Sequence, residues 1–227
     1  MTKKHADEDG IYIKITENGP YLVYGKPILK QEFITPNEEG ASWEYQDGKR
    51  FSTDGEEPIA LCRCGHSKNA PFCDESHVEC GFDGTETASL EPIAEGSKEY
   101  RGPNYTLLDN EAYCAFARFC DAFGQVWNLV MDGREACYCP AGRLRIRKNG
   151  EEQEIEPKFE KTIGVLEDPA AHCSGPLYIK GGIKIEGADG RVYELRNRQT
   201  LCRCGKSSHK PFCNGAHASV RYSDGIK

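Results

Sequence analysis

The sequence predicts an α+β protein in which two small β-rich repeats flank a different middle segment. The first observation behind this prediction is a cysteine-rich motif of 17 residues that occurs twice, at 61–77 and 201–217. The second is the alternation of apolar and polar residues before each motif, which is typical of strands. The third is an alanine- and aromatic-rich middle segment, which predicts a helix. We place the three regions at 1–97, 98–168 and 169–227.

Both copies of the motif have the same spacing, which is Cys-x-Cys, eight residues, Cys, three residues and His. Ten of the 17 aligned positions are identical, and the four candidate ligands are among them. These ligands are Cys62, Cys64, Cys73 and His77 in the first copy and Cys202, Cys204, Cys213 and His217 in the second. Thiolate and imidazole bind zinc, iron and iron–sulfur clusters, whereas hard cations prefer oxygen. The motif therefore predicts a metal centre in each repeat.

A single zinc ion and a two-iron cluster are both compatible with these ligands. A zinc site needs four ligands around one atom, and its ligand pairs usually lie two to four residues apart. Here the first pair is closer than that, and eight residues separate it from the third ligand. A cluster has two metal atoms, so each can be held by one close pair of ligands. The spacing favours the cluster, and a structural zinc protein that serves as an interaction scaffold is the alternative.

The first motif resembles the signature of the CDGSH (NEET) iron–sulfur family, and the second motif is similar to it. The residues that carry the resemblance are Cys62, Cys64, Ser67, Pro71, Cys73, Asp74, Ser76 and His77, and then Cys202, Cys204, Ser207, Pro211, Cys213 and His217. The first copy has Glu75 where the family has glycine. The second has Asn214 and Ala216 in place of aspartate and serine. None of these three positions is a ligand.

The resemblance implies one 2Fe–2S cluster in each repeat, held by three cysteines and one histidine. Cys62 and Cys64 would hold the inner iron, while Cys73 and His77 would hold the outer, more exposed iron. The second repeat would use its four ligands in the same way. A glycine follows each Cys-x-Cys pair, where the backbone must turn closely.

The residues before each motif predict a small β-meander. Residues 11–15 and 21–24 alternate between apolar and polar side chains, and residues 175–185 are their counterpart. The Asp47-Gly48 and Asp189-Gly190 pairs are predicted to form matching hairpin turns. The first repeat is longer by an acidic insertion at 36–40. Because single modules of the family commonly pair across a two-fold axis, we expect the tandem chain to form this pairing internally, as a pseudo-symmetric monomer.

The middle segment carries four further cysteines. Asp109 is predicted to cap a helix of about a dozen residues that carries Cys114 and Cys120. Together with Cys139-Pro140, these cysteines resemble the divergent single-cluster ferredoxins, which bind a 3Fe–4S or 4Fe–4S cluster. Cys137 is the fourth candidate ligand. A ferredoxin-like domain whose cysteines are only packing residues is the alternative.

The regions beside the middle helix are predicted to be extended. Residues 78–97 are expected to form an exit strand and a linker, and residues 159–168 a last strand before the second meander. Residues 143–148 alternate between basic and apolar side chains, which predicts a strand with a solvated basic face.

Composition and charge exclude several classes of protein. The chain has 29 Lys and Arg against 36 Asp and Glu, a net charge of -7, which argues against a nucleic-acid partner. No apolar run approaches the length of a membrane-spanning helix, and the N-terminal residues lack the apolar core of a secretory signal. We therefore expect no membrane partner and a cytoplasmic location, where disulfides between the 12 cysteines would be rare.

The expected function is electron transfer, or the storage and transfer of clusters, with unidentified redox or cluster-acceptor proteins as partners. The sequence has no dinucleotide-binding glycine pattern, no Walker motif and no nucleophile elbow. We therefore expect no enzymatic activity of its own.

Overall fold

The structure, a computed structural model, describes residues 10–55, 57–129 and 134–226. The strands are β1 (Tyr12–Ile15), β2 (Tyr21–Tyr24), β3 (Ile28–Pro36), β4 (Ser42–Arg50), β5 (Ile59–Leu61), β6 (Lys98–Arg101), β7 (Tyr105–Asp109), β8 (Leu144–Lys148), β9 (Thr162–Asp168), β10 (Cys173–Lys180), β11 (Lys184–Glu186) and β12 (Arg198–Leu201). The helices are α1 (Ser76–Glu79), α2 (Val126–Leu129), α3 (Arg134–Tyr138) and α4 (Ala216–Ser219). The fold is thus β-rich with a few short helices. The predicted α+β class overestimated the helix content.

The first sheet contains four strands in the order β11-β1-β2-β5. Strands β1, β2 and β5 come from the first repeat and are antiparallel, and β1 and β2 confirm the strands predicted at 11–15 and 21–24. Ile13 and Ile15 face the core, and the polar residues between them face outward. The fourth strand, β11, comes from the second repeat and pairs parallel with β1, so that Ile13 lies opposite Ile185.

The second sheet contains five strands in the order β12-β10-β9-β3-β4. Strand β9 confirms the strand predicted before the second meander, and it pairs with β10. Strands β3 and β4 come from the first repeat, and β3 pairs parallel with β9, so that Leu29 lies opposite Ile163. The second repeat therefore contributes β11 to the first sheet, and the first repeat contributes β3 and β4 to the second, which is a reciprocal exchange of strands within one chain.

The two predicted hairpin turns differ in outcome. The turn at Asp189-Gly190 is confirmed, since Gly187 and Arg191 are joined by a backbone hydrogen bond of 2.8 Å. The prediction of a turn at Asp47-Gly48 is wrong, because both residues lie inside β4. The turn between β3 and β4 is instead the acidic insertion, where Asn37 Oδ1 accepts hydrogen bonds from the backbone of Glu39 and Ala41. An Asx-type turn of this kind competes well with an Asp-Gly turn.

The third sheet, in the order β6-β7-β8, lies in the middle segment. Strand β8 confirms the strand predicted over 143–148, but its arginines are paired. Arg145 is buried and donates to Glu154 and Ser97, and Arg147 donates to Glu99 at 2.7 Å. The basic face is therefore an ion-paired surface of the sheet.

The prediction of a helix that begins after Asp109 is wrong. Asp109 is the last residue of β7, and Asn110 caps a single 3-10 turn over Glu111–Tyr113. Phe116 and Arg118 then have φ angles of 56° and 62°, in the left-handed region that a right-handed helix does not contain. The exit strand predicted within 78–97 is also wrong, because the described chain there forms the end of α1, a loop and one 3-10 turn at Ile93–Gly96.

One apolar core joins the two repeats and the middle segment. Its buried members include Ile13, Val23, Leu61, Leu107, Leu144, Ile146, Ile163, Leu177, Ile185, Leu201 and Phe212. All 12 cysteines lie in the described ranges, and none forms a disulfide. No helix within the described ranges is long and apolar enough to span a membrane. The N-terminal residues used for the expectation about a secretory signal lie almost entirely outside those ranges.

Candidate metal centres

Each cysteine-rich motif forms a loop that leaves the last strand of its repeat and returns to it. In the first motif the backbone of Cys62 donates to Pro71 O at 2.9 Å, and Cys73 donates to Ala60 O at 2.9 Å. The second motif repeats both bonds, from Cys202 to Pro211 at 2.8 Å and from Cys213 to Thr200 at 3.0 Å. These bonds hold the third cysteine of each loop beside the Cys-x-Cys pair.

A serine inside each loop fixes its curvature. Ser67 Oγ donates to Phe72 O at 2.6 Å and accepts from the backbone of Asn69. Ser207 Oγ makes the same two bonds, to Phe212 O at 2.7 Å and from His209. The two serines that match in the motif therefore have the same structural role in both copies.

The four ligands of each loop are arranged as two close pairs. The Sγ atoms of Cys62 and Cys64 lie 3.6 Å apart, and Cys73 Sγ lies 3.4 Å from His77 Nδ1. In the second loop the corresponding distances are 3.7 Å and 3.4 Å. Two sulfurs bound to one tetrahedral metal atom lie about 3.8 Å apart, and a sulfur and a nitrogen about 3.5 Å apart. Each pair is therefore spaced to hold one metal atom.

The two pairs of a loop do not close around a common ion. Among the described residues, no three His, Cys, Asp or Glu side chains come close enough together to hold a single metal ion. A structural zinc site requires four ligands on one atom. The donor set and its division into pairs fit a centre with two metal atoms, one for each pair.

The first cysteine of each loop is prepared to be a thiolate. Hydrogen bonds from Cys64 Sγ and from three backbone N–H groups lower the pKa of the Cys62 thiol to about 6, although burial opposes this. The same contacts from Cys204 and the following backbone lower the pKa of Cys202 to about 6. Thiolate is the form that binds metal, so one thiol of each inner pair is favoured as a thiolate. The same hydrogen bond and burial raise the pKa of the other thiol, Cys64 or Cys204.

The comparison with known families agrees with this geometry. Residues 18–78 and 174–218 match the family model described as iron-binding zinc finger, CDGSH type. The chain contains two CDGSH-type iron-binding domains. Domains of this type bind 2Fe–2S clusters, and the match leaves the middle segment outside. No curated protein and no solved structure matches the chain.

The arginine between the first two cysteines organises each CDGSH domain, a role that the sequence analysis did not identify. Arg63 donates to Thr16 O, Gly19 O and Gly84 O, which joins the strands before the loop to the chain after it. Arg203 is equally buried and donates to Gly175 O, Leu166 O, Glu167 and Asp224. The signal for this role was the presence of the same arginine in both copies of the Cys-Arg-Cys sequence.

The two CDGSH domains meet at their cluster loops. Gly65 lies against the backbone of Cys204, where an added Cβ would be 2.7 Å from the carbonyl oxygen. Gly205 lies against Cys64 in the same way, at 2.5 Å. Only glycine fits at these two positions, so the glycine after each Cys-x-Cys pair also permits the approach of the two loops. Tyr21 reinforces the contact by donating to Cys202 O at 2.8 Å.

The middle cysteines divide into three that come together and one that does not. Cys114, Cys120 and Cys139 line one small cavity of about 20 Å³, together with Arg118, Arg143 and several apolar residues. Burial and the nearby Asp121 raise the pKa of Cys120 to about 12. Cys137 is absent from the lining of this cavity, and its Sγ donates to Ile155 O at 3.6 Å. The three-cysteine set is therefore the one that the fold assembles.

Proposed function

We propose that this protein binds one 2Fe–2S cluster in each CDGSH domain, and that it carries electrons or stores and transfers clusters. The observation that carries the proposal is the division of each ligand set into two pairs, each spaced for one metal atom. A 2Fe–2S cluster supplies one-electron chemistry and can be passed on as a unit. The chain's own residues hold it by Cys62, Cys64, Cys73 and His77 and by Cys202, Cys204, Cys213 and His217.

The structural zinc scaffold remains the competing function. It would use the same ligands, and the metal content of the purified protein separates the two. The paired geometry supports the cluster, because a single zinc ion needs all four ligands on one atom.

The histidine ligand gives the proposed function a testable property. Imidazole takes up a proton near neutral pH, whereas four thiolates offer no ligand that does so. Protonation competes with metal binding, so we expect the visible absorption to be lost at mildly acid pH.

Substitution of His77 by cysteine tests this property at the first domain. We expect His77→Cys to lower the midpoint potential, by an amount on the order of 100 mV, because histidine ligation raises it. We also expect the variant to lose its absorption more slowly in acid. The measurements are a potentiometric titration and the absorbance after transfer to acid. Unchanged acid lability at this site would contradict the role of the histidine.

As a second candidate centre, we propose that Cys114, Cys120 and Cys139 hold a third iron–sulfur cluster. The supporting observation is that these three thiols line one cavity although they lie up to 25 positions apart in the sequence. Three cysteines suit a 3Fe–4S cluster better than a 4Fe–4S cluster, although the small cavity would have to widen. Iron counted in wild type and in Cys120→Ser tests this, and an equal iron content in both would show that the middle cysteines are packing residues.

The proposal includes no catalytic activity. It takes a single chain as the functional unit. The reciprocal exchange of β3 and β11 supports a monomer in which the two domains pair with each other. Partners would be redox proteins or cluster acceptors. Light scattering that detects an obligate dimer would contradict the monomer.

A further inference from the structure

The two CDGSH domains differ in the exposure of their outer ligand pairs. In the second domain, Cys213 is 2% exposed and His217 is 3% exposed. In the first domain, Cys73 and His77 are only half-buried, and Val78 beside them is 73% exposed. Nearly the same motif has therefore produced one open site and one closed site.

Residues 113–118 of the middle segment close the second site, and we call them the cover segment. A Cβ added at Gly215, inside the second loop, would lie 3.2 Å from Cys114 O and 3.2 Å from the Cβ of Phe116. The ring of Tyr113 packs against His209 and Phe212 of the same loop, with centroid distances of 4.8 Å and 5.2 Å. The backbone of the cover segment thus lies directly on the second loop.

One pair of equivalent residues in the two loops reflects the difference in exposure between the two sites. Glu75 and Gly215 both precede the short helix of their loop and both have a positive φ angle, 70° and 83°. Glycine is favoured at such a position. The first loop nevertheless carries glutamate, and its side chain is exposed. In the second loop a side chain at this position would press against the cover segment, which would have to shift to make room.

The far end of the cover segment is fixed by an ion pair. Arg118 donates to Asp168 through two nitrogens, at 2.7 Å and 2.9 Å. Asp168 is 2% exposed and also accepts from the backbone of Ala171. A bidentate pair of this kind is among the stronger polar interactions, so lifting the cover segment requires breaking it.

We propose that the first CDGSH domain is the exchange site for thiolate acceptors and that the cover segment retains the metal centre of the second domain. This inference rests on the proposed function, because it concerns how the two centres are used. An incoming thiolate must reach the outer ligand pair, which is only half-buried at the first site. At the second site the cover segment must first move away.

The exchange is a ligand substitution without oxidation or reduction. Bonds from iron to the acceptor's thiolates form as the bonds to Cys62, Cys64, Cys73 and His77 break. The protons lost by the acceptor thiols are taken up by the freed cysteines and the freed imidazole or by buffer. The iron and sulfide move together and keep their oxidation states.

The test uses the full chain with Cys120→Ser, so that the proposed middle centre adds no iron, and with both CDGSH centres loaded. Excess EDTA with dithiothreitol is the chelating and thiol probe. Iron release and visible absorbance are followed together. We expect two phases of equal amplitude, separated by about tenfold or more in rate, because the cover segment is held by at least one strong charged interaction. His77→Ala should remove the fast phase and leave the slow one, which assigns the fast phase to the first domain.

Two variants open the cover segment by different routes. Arg118→Gln removes the ion pair to Asp168, and Gly215→Glu gives the second loop the residue of the first. We expect each variant to accelerate the slow phase about tenfold and to leave the fast phase unchanged. Arg147→Gln is the matched control, since it breaks an ion pair with Glu99 on the outer part of the middle sheet. It should change neither phase.

The outcomes separate this inference from the proposed function. Release of all the iron in one phase, or of none, overturns the assignment of an open and a closed site. An unchanged slow phase in both opening variants overturns the role of the cover segment. A protein that holds zinc and no sulfide instead contradicts the proposed function itself.

Discussion

At the scale of single residues, the two buried arginines show how one motif position acquires different partners. Arg63 donates only to backbone carbonyls, whereas Arg203 also pairs with Glu167 and Asp224. Removal of an arginine from a buried ion pair leaves an uncompensated carboxylate, which costs about 3–5 kcal/mol. Loss of hydrogen bonds to neutral carbonyls costs less, about 1–3 kcal/mol.

We therefore expect Arg203→Met to destabilise the protein more than Arg63→Met does. The measurement is the free energy of unfolding in urea for both variants, prepared with the same metal content. Equal losses of stability would contradict the assignment of the two carboxylates as the source of the difference.

His217 predicts the pH dependence of the second domain. Burial, and then the charge of Arg203, lower the pKa of His217 to about 4. The neutral imidazole, which is the form that binds metal, therefore contributes its full stability above about pH 6.5. That contribution falls as the pH drops towards 4.

We expect the iron to be released in two steps as the pH falls, with the second domain keeping its iron to a lower pH than the first. The measurement is iron per chain after buffer exchange at pH 7, 6, 5 and 4. Loss of all the iron between pH 7 and 6 would contradict the protection of His217.

At the scale of secondary structure, a buried ion pair crosses the sheet where the two repeats meet. Lys180 on β10 donates to Glu32 on β3, and the strand between them is β9. Gly164 on β9 leaves the space for this contact, since a Cβ there would meet the carboxylate of Glu32. Lys30 Nζ also lies 3.1 Å from Glu32 Oε1.

This arrangement predicts a non-additive pair of substitutions. Lys180→Met and Glu32→Met should each destabilise the protein by about 3 kcal/mol or more, because each leaves a buried charge with too few partners. The double variant should lose less than the sum, and its free energy of unfolding completes the cycle. Additive losses would show that the two side chains do not interact across β9.

The elements also show which parts of the fold were visible in the sequence. Strands β1, β2, β8, β9, β10 and β11 lie in segments predicted to be extended, because short apolar or alternating segments depend on local burial alone. The parallel pairing of β1 with β11 could not be predicted, because it joins residues more than 170 positions apart. The predicted middle helix failed because Phe116 and Arg118 have positive φ angles, and their tertiary contacts are with Gly215 of the second loop and with Asp168 of β9. The alanine content, from which the helix was predicted, gives no information about these tertiary contacts.

The ligands were predictable for a different reason. Cysteine and histidine at fixed spacing define the chemistry of a site by residue type alone, and the fold places all eight in four close pairs. The difference in exposure between the two sites was not visible, because the motifs agree at every ligand. The motif residues that differ and that touch the cover segment in the second domain are Gly215, where the first motif has Glu75, and His209, where it has Asn69.

At the scale of the whole molecule, the chain has two metal-binding loops in contact and a middle segment that covers one of them. The contact between the loops, through Gly65 and Gly205, places the backbones of Cys64 and Cys204 side by side. The two metal-binding loops are therefore joined by a direct backbone contact.

The most direct test of the central claim is the visible spectrum of the anaerobically purified protein, with iron and acid-labile sulfide counted per chain. Two 2Fe–2S centres predict a red-brown protein with about four irons and four sulfides in the CDGSH domains. A filled middle site would raise the iron count to about seven. A colourless protein that holds zinc, contains no sulfide and resists reconstitution with iron would contradict the account.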